Sequence, residues 1–330
     1  EVTIRIAIAI KPNKINNNSF ICLRKEFFME IFDCAVLGGG PAGITASLVL
    51  GRARRKIALF DNGTNRNRVT QFTHGFLTRD GVTPIEFKNK ALNDLKKYPS
   101  VHFFDKTVIE VVKQANSELF QIMTFDGKMF LTEKVLLATG VQEVYPSISN
   151  IKSYYGKSIF SCPYCDGWEL RDQPLIIMIE NTNGAFNMAK VVYNWSKNLV
   201  VATNGYNMDA SQKSELERRD IRVVVEPISQ LHGTDGNLKG VEFVSGLEIE
   251  RVGGFIKPSF YRANHFAEQL DCKIQENGVI VTDKAGRTSQ KNIYTAGEAA
   301  QAGGESLTLA AAQGNKVAFA INADLTNERF

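Results

Sequence analysis

The sequence predicts an α/β protein containing two copies of a strand–helix–strand unit, and three observations carry that prediction. A glycine-rich turn, GGGPAG, joins an apolar run to a helical run. The same pattern of apolar run, helix and apolar run returns 142 positions later. Two further short strands, in EKVLLATG (133–140) and NIYTAGEAA (292–300), each run into a glycine. With 330 residues the chain has room for two cores.

Residues 1 to 28 are expected to lie outside the fold. EVTIRIAIAI is a short apolar run followed by the polar, asparagine-rich KPNKINNNSF, with no small-x-small cleavage pattern, and Met29 stands just before the first strong strand. IFDCAVL (31–37), bounded by glycine, reads as a strand buried on both faces. Each residue of the turn that follows has a physical task. Gly38 permits the tight turn, Gly40 lets a pyrophosphate approach the backbone, and Gly43 lets helix pack on strand. Pro41 and Ala42 form the helix's first turn, where proline's missing N–H is harmless. Asp61 ends the next strand, KIALFD, eighteen residues after Gly43, and suits a ribose hydroxyl. Strand, glycines, helix, strand and acid in this order predict a Rossmann-like dinucleotide site.

In the second unit PLIIMI (174–179) is a strand, AFNMAKVVYNWS a helix and NLVVATNG a strand. Laid over the first without a gap, FDNG meets ATNG, and Gly38, Gly40, Gly43 and Asp61 meet Glu180, Thr182, Ala185 and Thr203. A carboxylate, a branched side chain and a lost ribose acid each work against a dinucleotide. The fold of this unit is expected to persist while its nucleotide chemistry is damaged. Thr139 and Gly140, in the turn after the 133–140 strand, and Gly297 and Glu298, before an alanine-rich helix, complete the candidate binding positions.

Composition excludes several classes. Charged residues are 22% and hydrophobic ones 44%, with a net charge of +4; no long basic run marks a nucleic-acid binder. The cluster GRARRK (51–56) reads as a solvated helix end. No run of eighteen apolar residues suggests a membrane span. Five cysteines, Cys22, Cys34, Cys162, Cys165 and Cys272, are too few and too odd for a secreted disulfide framework, which points to a reducing, cytoplasmic setting.

One stretch, SCPYCDGWEL (161–170), sets Cys162 and Cys165 at the spacing of a zinc knuckle, a redox disulfide or a chance pair. Structural zinc takes four ligands, and neither Cys272 nor the four histidines supply a second close pair. A CxxC cycles between dithiol and disulfide, and its attacking thiol often has a lowered pKa. Asp166 follows it, either as a turn residue before Gly167 or as a proton donor and acceptor for thiol exchange. His74, in THGF, is a second acid–base candidate or a structural histidine. Tyr164 and Trp168 are expected to pack rather than react.

The order GGGPAG, ATG, CxxCDG, second βαβ unit and YTAGEAA resembles the low-molecular-weight thioredoxin reductase family over about residues 29 to 326. NRNRVTQFTHGFLTRDG and CPYCDGWE are closest to the thioredoxin-reductase-like branch that includes dithiol oxidases. The resemblance implies two Rossmann-like domains, the second inserted in the first: an FAD domain at 29–147 and 256–330, and an inserted domain at 148–255 carrying the CxxC. It implies FAD on the first unit, Cys165 as the sulfur that meets the flavin, Cys162 as the one that exchanges with substrate, and a homodimer. Its usual Gly-Asp reads Gly297-Glu298 here, which keeps an acid for the flavin's ribityl chain. The second-unit losses put NADPH in doubt. The resulting expectation is a flavin-dependent thiol–disulfide oxidoreductase acting on a small dithiol or a thioredoxin-like protein, with oxygen, a ferredoxin-like donor or NADPH as its other partner. A flavin-bound redox sensor without turnover is the alternative from another class.

Overall fold

The computed structural model describes residues 30–301 and 306–330; the segment expected outside the fold, 1–28, lies outside the described residues. The chain opens with β1 (Ile31–Leu37), α1 (Pro41–Arg52), β2 (Ile57–Asp61), α2 (Pro84–Leu95) and β3 (Val101–Asp105). A meander of β4 (Val108–Lys113), β5 (Phe120–Thr124) and β6 (Met129–Leu137) follows. These strands order as β3-β2-β1-β6-β5-β4. β1 is buried on both sides, as its unbroken apolar run requires. Cys34 and Val36 pack towards α1, while Ala35 and Leu37 pack towards Phe120 and Ile122. β6 is long enough to share one edge: β5 pairs with its first half, Met129 to Thr132.

β7 (Gln142–Val144) leaves this sheet, and α3 (Ile151–Tyr154), β8 (Ile159–Phe160) and the short α4 (Pro163–Asp166) lead to the second unit. That unit comprises β9 (Leu175–Met178), α5 (Thr182–Val192), β10 (Leu199–Ala202), α6 (Ala210–Glu217) and β11 (Arg222–Val224). An antiparallel sheet of β12 (Ile228–Thr234), β13 (Asn237–Phe243) and β14 (Glu248–Glu250) covers one face of it, and β15 (Gly253–Ile256) returns to the parallel sheet, ordered β11-β10-β9-β15-β8. Ile176, Met178 and Val200 pack on Val241 and Phe243; Leu175, Ile177 and Val201 pack on Ala185 and Ala189 of α5.

β16 (Ser259–Tyr261) pairs antiparallel with β7, so outgoing and returning chains cross between the sheets as one ribbon. Then come α7 (Phe266–Gln269), β17 (Ile293–Thr295), which pairs with the second half of β6, and α8 (Leu307–Arg329). α8 lies close against α1: a Cβ on Gly314 would overlap the carbonyl of Ala42. The small residues in the first half of α8 let the two helices approach this closely. Arg55, in the basic cluster after α1, binds Asn322 of α8 at 2.7 Å.

The repeat is present, but not at a constant offset. Leu37 pairs with Phe60 across β1 and β2, whereas Met178 pairs with Ala202 across β9 and β10, so partners stand 23 residues apart in one unit and 24 in the other. α1 begins after the cap Gly40 and α5 after the cap Asn181. The gap-free pairing is therefore corrected at the turn. The structural counterparts of Gly38, Gly40 and Gly43 are Ile179, Asn181 and Gly184, not Glu180, Thr182 and Ala185. Thr203 remains opposite Asp61. One extra residue between the start of α5 and β10 absorbs the slip.

Candidate active site

The expected binding positions converge. Gly38, Gly40, Pro41, Ala42 and Asp61 line one side of a long cleft, and Thr139, Gly140, Gly297 and Glu298 line the other. Gly43 stays behind it. Gly38 has φ +112°, a conformation that side chains rarely adopt. A Cβ on Gly43 would overlap the Gly38 carbonyl, so that glycine is fixed by helix–turn packing. A Cβ on Gly40, by contrast, would meet no protein atom within 4 Å. The backbone at Gly40 is therefore open to the cleft that it lines.

The start of α1 agrees. Among the described helices of eight or more residues, α1 alone has no side-chain cap; Thr83, Asn181, Asp209 and Ser306 cap the others. Its first amides face the cleft, where a pyrophosphate would satisfy them. The donor set fits FAD. Arg66 of the cleft, and Lys88, which holds the cleft's Asp61, escaped the sequence reading. Lys88 of α2 pairs with Asp61, whose other oxygen accepts from Gly39 N at 3.2 Å. Arg66 grips Glu298 with two hydrogen bonds, at 2.6 and 3.0 Å. Arg66 sits inside the NRNRV stretch, so the family resemblance was its signal; Lys88 lies in an ordinary helical segment and had none.

Cys162 and Cys165 form a disulfide, with Cα atoms 5.3 Å apart, across the first turn of α4. Both are half-buried, and neither lines the cleft. Among the described residues the Asp166 carboxyl has no hydrogen-bond or ion-pair partner, and burial, with a smaller contribution from the charge of Glu169, pushes it up to about 7. Tyr164 and Trp168 do not pack inside: they are 79% and 64% exposed. Tyr164 meets Trp195 edge-on and Trp168 lies beneath Arg171, so both form an aromatic rim beside the disulfide.

The loop between β2 and α2 reaches across to this segment. His74 lies between two carboxylates, its Nδ1 at 3.6 Å from Asp80 and its Nε2 at 3.6 Å from Glu169. His74, Asp166 and the disulfide are thereby gathered, and Glu169 joins them as a group the sequence did not single out. The four histidines show no ring of zinc ligands around Cys162. Among the described residues the one grouping with metal-ligand proximity is His232, Glu242 and Glu248, on β12 to β14.

The second unit presents a different turn to any nucleotide. The side chain of Asn181 accepts from Gly184 N at 2.8 Å, so the helix start is already capped where α1 is bare. Glu180 accepts from Asn204 at 2.9 Å, and the buried Thr203 hydroxyl donates to the Tyr206 carbonyl.

Comparison with known proteins agrees with this geometry. The profile described as pyridine nucleotide-disulphide oxidoreductase matches residues 32–314. The structure of a putative thioredoxin reductase from Bacillus anthracis superposes with a TM-score of 0.88 at 60% identity, covering 91% of this chain and 100% of that one. An oxidoreductase from Agrobacterium tumefaciens gives 0.83 at 29% identity, covering 90% and 99%. A probable thioredoxin reductase of Arthroderma benhamiae is 28% identical over 329 residues, covering 90% of this chain and 81% of its own. The chain belongs to the pyridine nucleotide-disulphide oxidoreductase family. It is a thioredoxin-reductase-like flavin-dependent disulfide oxidoreductase with two Rossmann-like domains, in a family that uses FAD with NADPH as second nucleotide. Among the described residues no helix is long and apolar enough to cross a membrane.

Proposed function

We propose that this family member exchanges two electrons between the Cys162–Cys165 pair and FAD, with a thiol or disulfide as substrate, and that its second nucleotide unit holds NADPH poorly. The observation that carries the first part is the disulfide itself, half-exposed beside a carboxyl poised near neutrality. A substrate thiolate attacks Cys162, and Cys165 leaves with a proton from Asp166. A second substrate thiolate then resolves the mixed disulfide, which leaves two protein thiols and an oxidised substrate. His74, held between Asp80 and Glu169, is the second acid–base candidate beside this segment. Bound FAD would supply two-electron exchange with those thiols, and by the family resemblance Cys165 would be the sulfur that meets it. Gly38, Gly40, the first turn of α1, Asp61, Thr139, Gly140, Gly297 and Glu298 hold that cofactor. Residues 29–147 and 256–330 form its domain, and 148–255 the domain that carries the disulfide.

The poor NADPH site is supported by the capped start of α5, by Glu180 beside it and by a Thr203 hydroxyl spent on backbone. The substrate is a small dithiol or a thioredoxin-like protein; the names of several relatives favour the protein. The names favour equally the second reading, an NADPH-fed reductase running the same relay in reverse. Cys165→Ser tests the relay. The variant is expected to bind FAD normally, because the pair lies away from the Gly38 turn, and to lose electron transfer between dithiol and flavin. Substantial turnover in that variant would remove the relay.

A further inference from the structure

Between the cleft and the disulfide runs a partly buried set of polar side chains that no step above uses. Glu143, on the ribbon strand β7, is only 4% exposed at its side chain. One of its oxygens accepts from Arg66 at 3.3 Å and from the Tyr155 hydroxyl at 2.5 Å; the other accepts from Tyr145 at 3.2 Å. Arg66 lines the cleft, holds Glu298 and lies over the ring of Phe260, the β16 residue paired with Glu143. The Tyr155 hydroxyl is also 2.9 Å from the hydroxyl of Ser161, the neighbour of Cys162. One carboxylate therefore ties three places that are far apart in sequence: the flavin cleft, the ribbon and the strand leading into the redox segment.

We propose that Glu143 is a positioning residue that sets the placement of the Cys162–Cys165 segment relative to the flavin cleft, acting through Arg66 on one side and through Tyr155 and Ser161 on the other. This rests on the electron relay proposed above. Every partner of Glu143 donates to it, so a carboxylate is the side chain that satisfies all three at once. Burial pulls the Arg66 guanidinium down, but the Glu298 and Glu143 carboxylates outweigh it and hold Arg66 firmly charged. Burial, then the Glu143 charge, pushes the Tyr155 phenol well above its ordinary value, so it stays a hydrogen-bond donor. Both arms of the tie keep their donors across the working pH range. A packing element would need neither the charge nor the three-way donation. Exchange between a disulfide and a flavin depends steeply on placement, and a misplacement near 1 Å can lower such a step about a hundredfold.

The test uses the full chain in two variants. Tyr155→Phe removes one hydroxyl and disconnects Ser161 while leaving Arg66–Glu143 in place; Glu143→Gln keeps shape and removes the charge. In both, the FAD dissociation constant, measured by titrating apo-protein, should stay within about twofold of the parent's, and so should the rate at which dithiothreitol reduces the disulfide of apo-protein. Amide hydrogen exchange of apo-protein over residues 158–166 should speed up, and single-turnover reduction of the flavin by dithiothreitol should slow by roughly tenfold or more. Unchanged exchange in both variants would overturn the proposal. So would a loss of FAD affinity in step with the rate, which marks a structural role only. If the relay itself is absent, dithiothreitol will fail to reduce the flavin of the parent enzyme; the exchange measurement on apo-protein still decides the tie.

Discussion

At the scale of single residues the chemistry turns on protons beside sulfur. Burial raises the Asp166 carboxyl to about 7, and Glu169 adds to the shift. An acid with a raised folded pKa binds its proton more tightly when folded, so its contribution to stability is present at low pH and lost as pH climbs from about 4 through 7. The catalytic consequence has the same midpoint. With the concentration of attacking thiolate held constant, reduction of the disulfide should fall as pH rises through about 7, because Asp166 then has no proton for Cys165. Asp166→Asn should flatten that limb and slow exchange by about a hundredfold or more, within the usual range for losing a general acid. Stopped-flow reduction of the disulfide across pH 5 to 9 reads both; an unshifted limb in Asp166→Asn would assign it to another group. CPYCD made Asp166 visible in the sequence. Its burial and the approach of Glu169 depend on the fold around α4, and no spacing rule could show them.

At the scale of elements, the two helix starts give opposite answers to one question: whether the first amides are free. In α1 they are, because Gly40 has no side chain and no other side chain among the described residues caps the turn. Gly40→Ala is expected to leave the melting temperature of the apo-protein unchanged and to weaken FAD at least about tenfold, which is about 1.4 kcal/mol. Gly43→Ala is expected to destabilise the apo-protein itself by about 1–3 kcal/mol or more, since its methyl must displace the Gly38 carbonyl. Calorimetry of apo-protein with FAD titration separates the two; equal loss of stability in both would mean that the cleft backbone has no ligand to wait for. In α5 the amide is taken by Asn181. Asn181→Gly should lower stability by only a few tenths of a kcal/mol, as cap-to-glycine changes do, and together with Glu180→Gly should tighten NADPH at least about tenfold; no gain would place the damage elsewhere in that unit. The strands, helices and glycine turn were legible because period and composition encode them locally. The one-residue slip between the units was not, because an ungapped comparison anchored at FDNG and ATNG hides an extra residue between the turn and the second strand.

At the scale of the molecule, the two main sheets are joined by the β7–β16 ribbon, and the 62–82 loop of one side reaches the disulfide segment of the other through His74 and the ribbon's Glu143 through Arg66. The sequence resemblance implied an inserted second unit and a disulfide that serves the flavin. The contact that relates them, Tyr155–Glu143, and the Arg66–Glu143 and Arg66–Glu298 pairs behind it join residues up to 232 positions apart. Such pairs leave no periodic trace in one sequence. The central claim is that electrons pass between Cys162–Cys165 and FAD while NADPH enters poorly. Anaerobic stopped-flow of the FAD-loaded protein, followed at the flavin absorbance, tests it most directly. Bleaching by dithiothreitol should be rapid and lost in Cys165→Ser, and bleaching by NADPH should be at least tenfold slower and far from saturation at micromolar concentrations. Rapid, saturable bleaching by micromolar NADPH, with none by dithiol, would contradict the account.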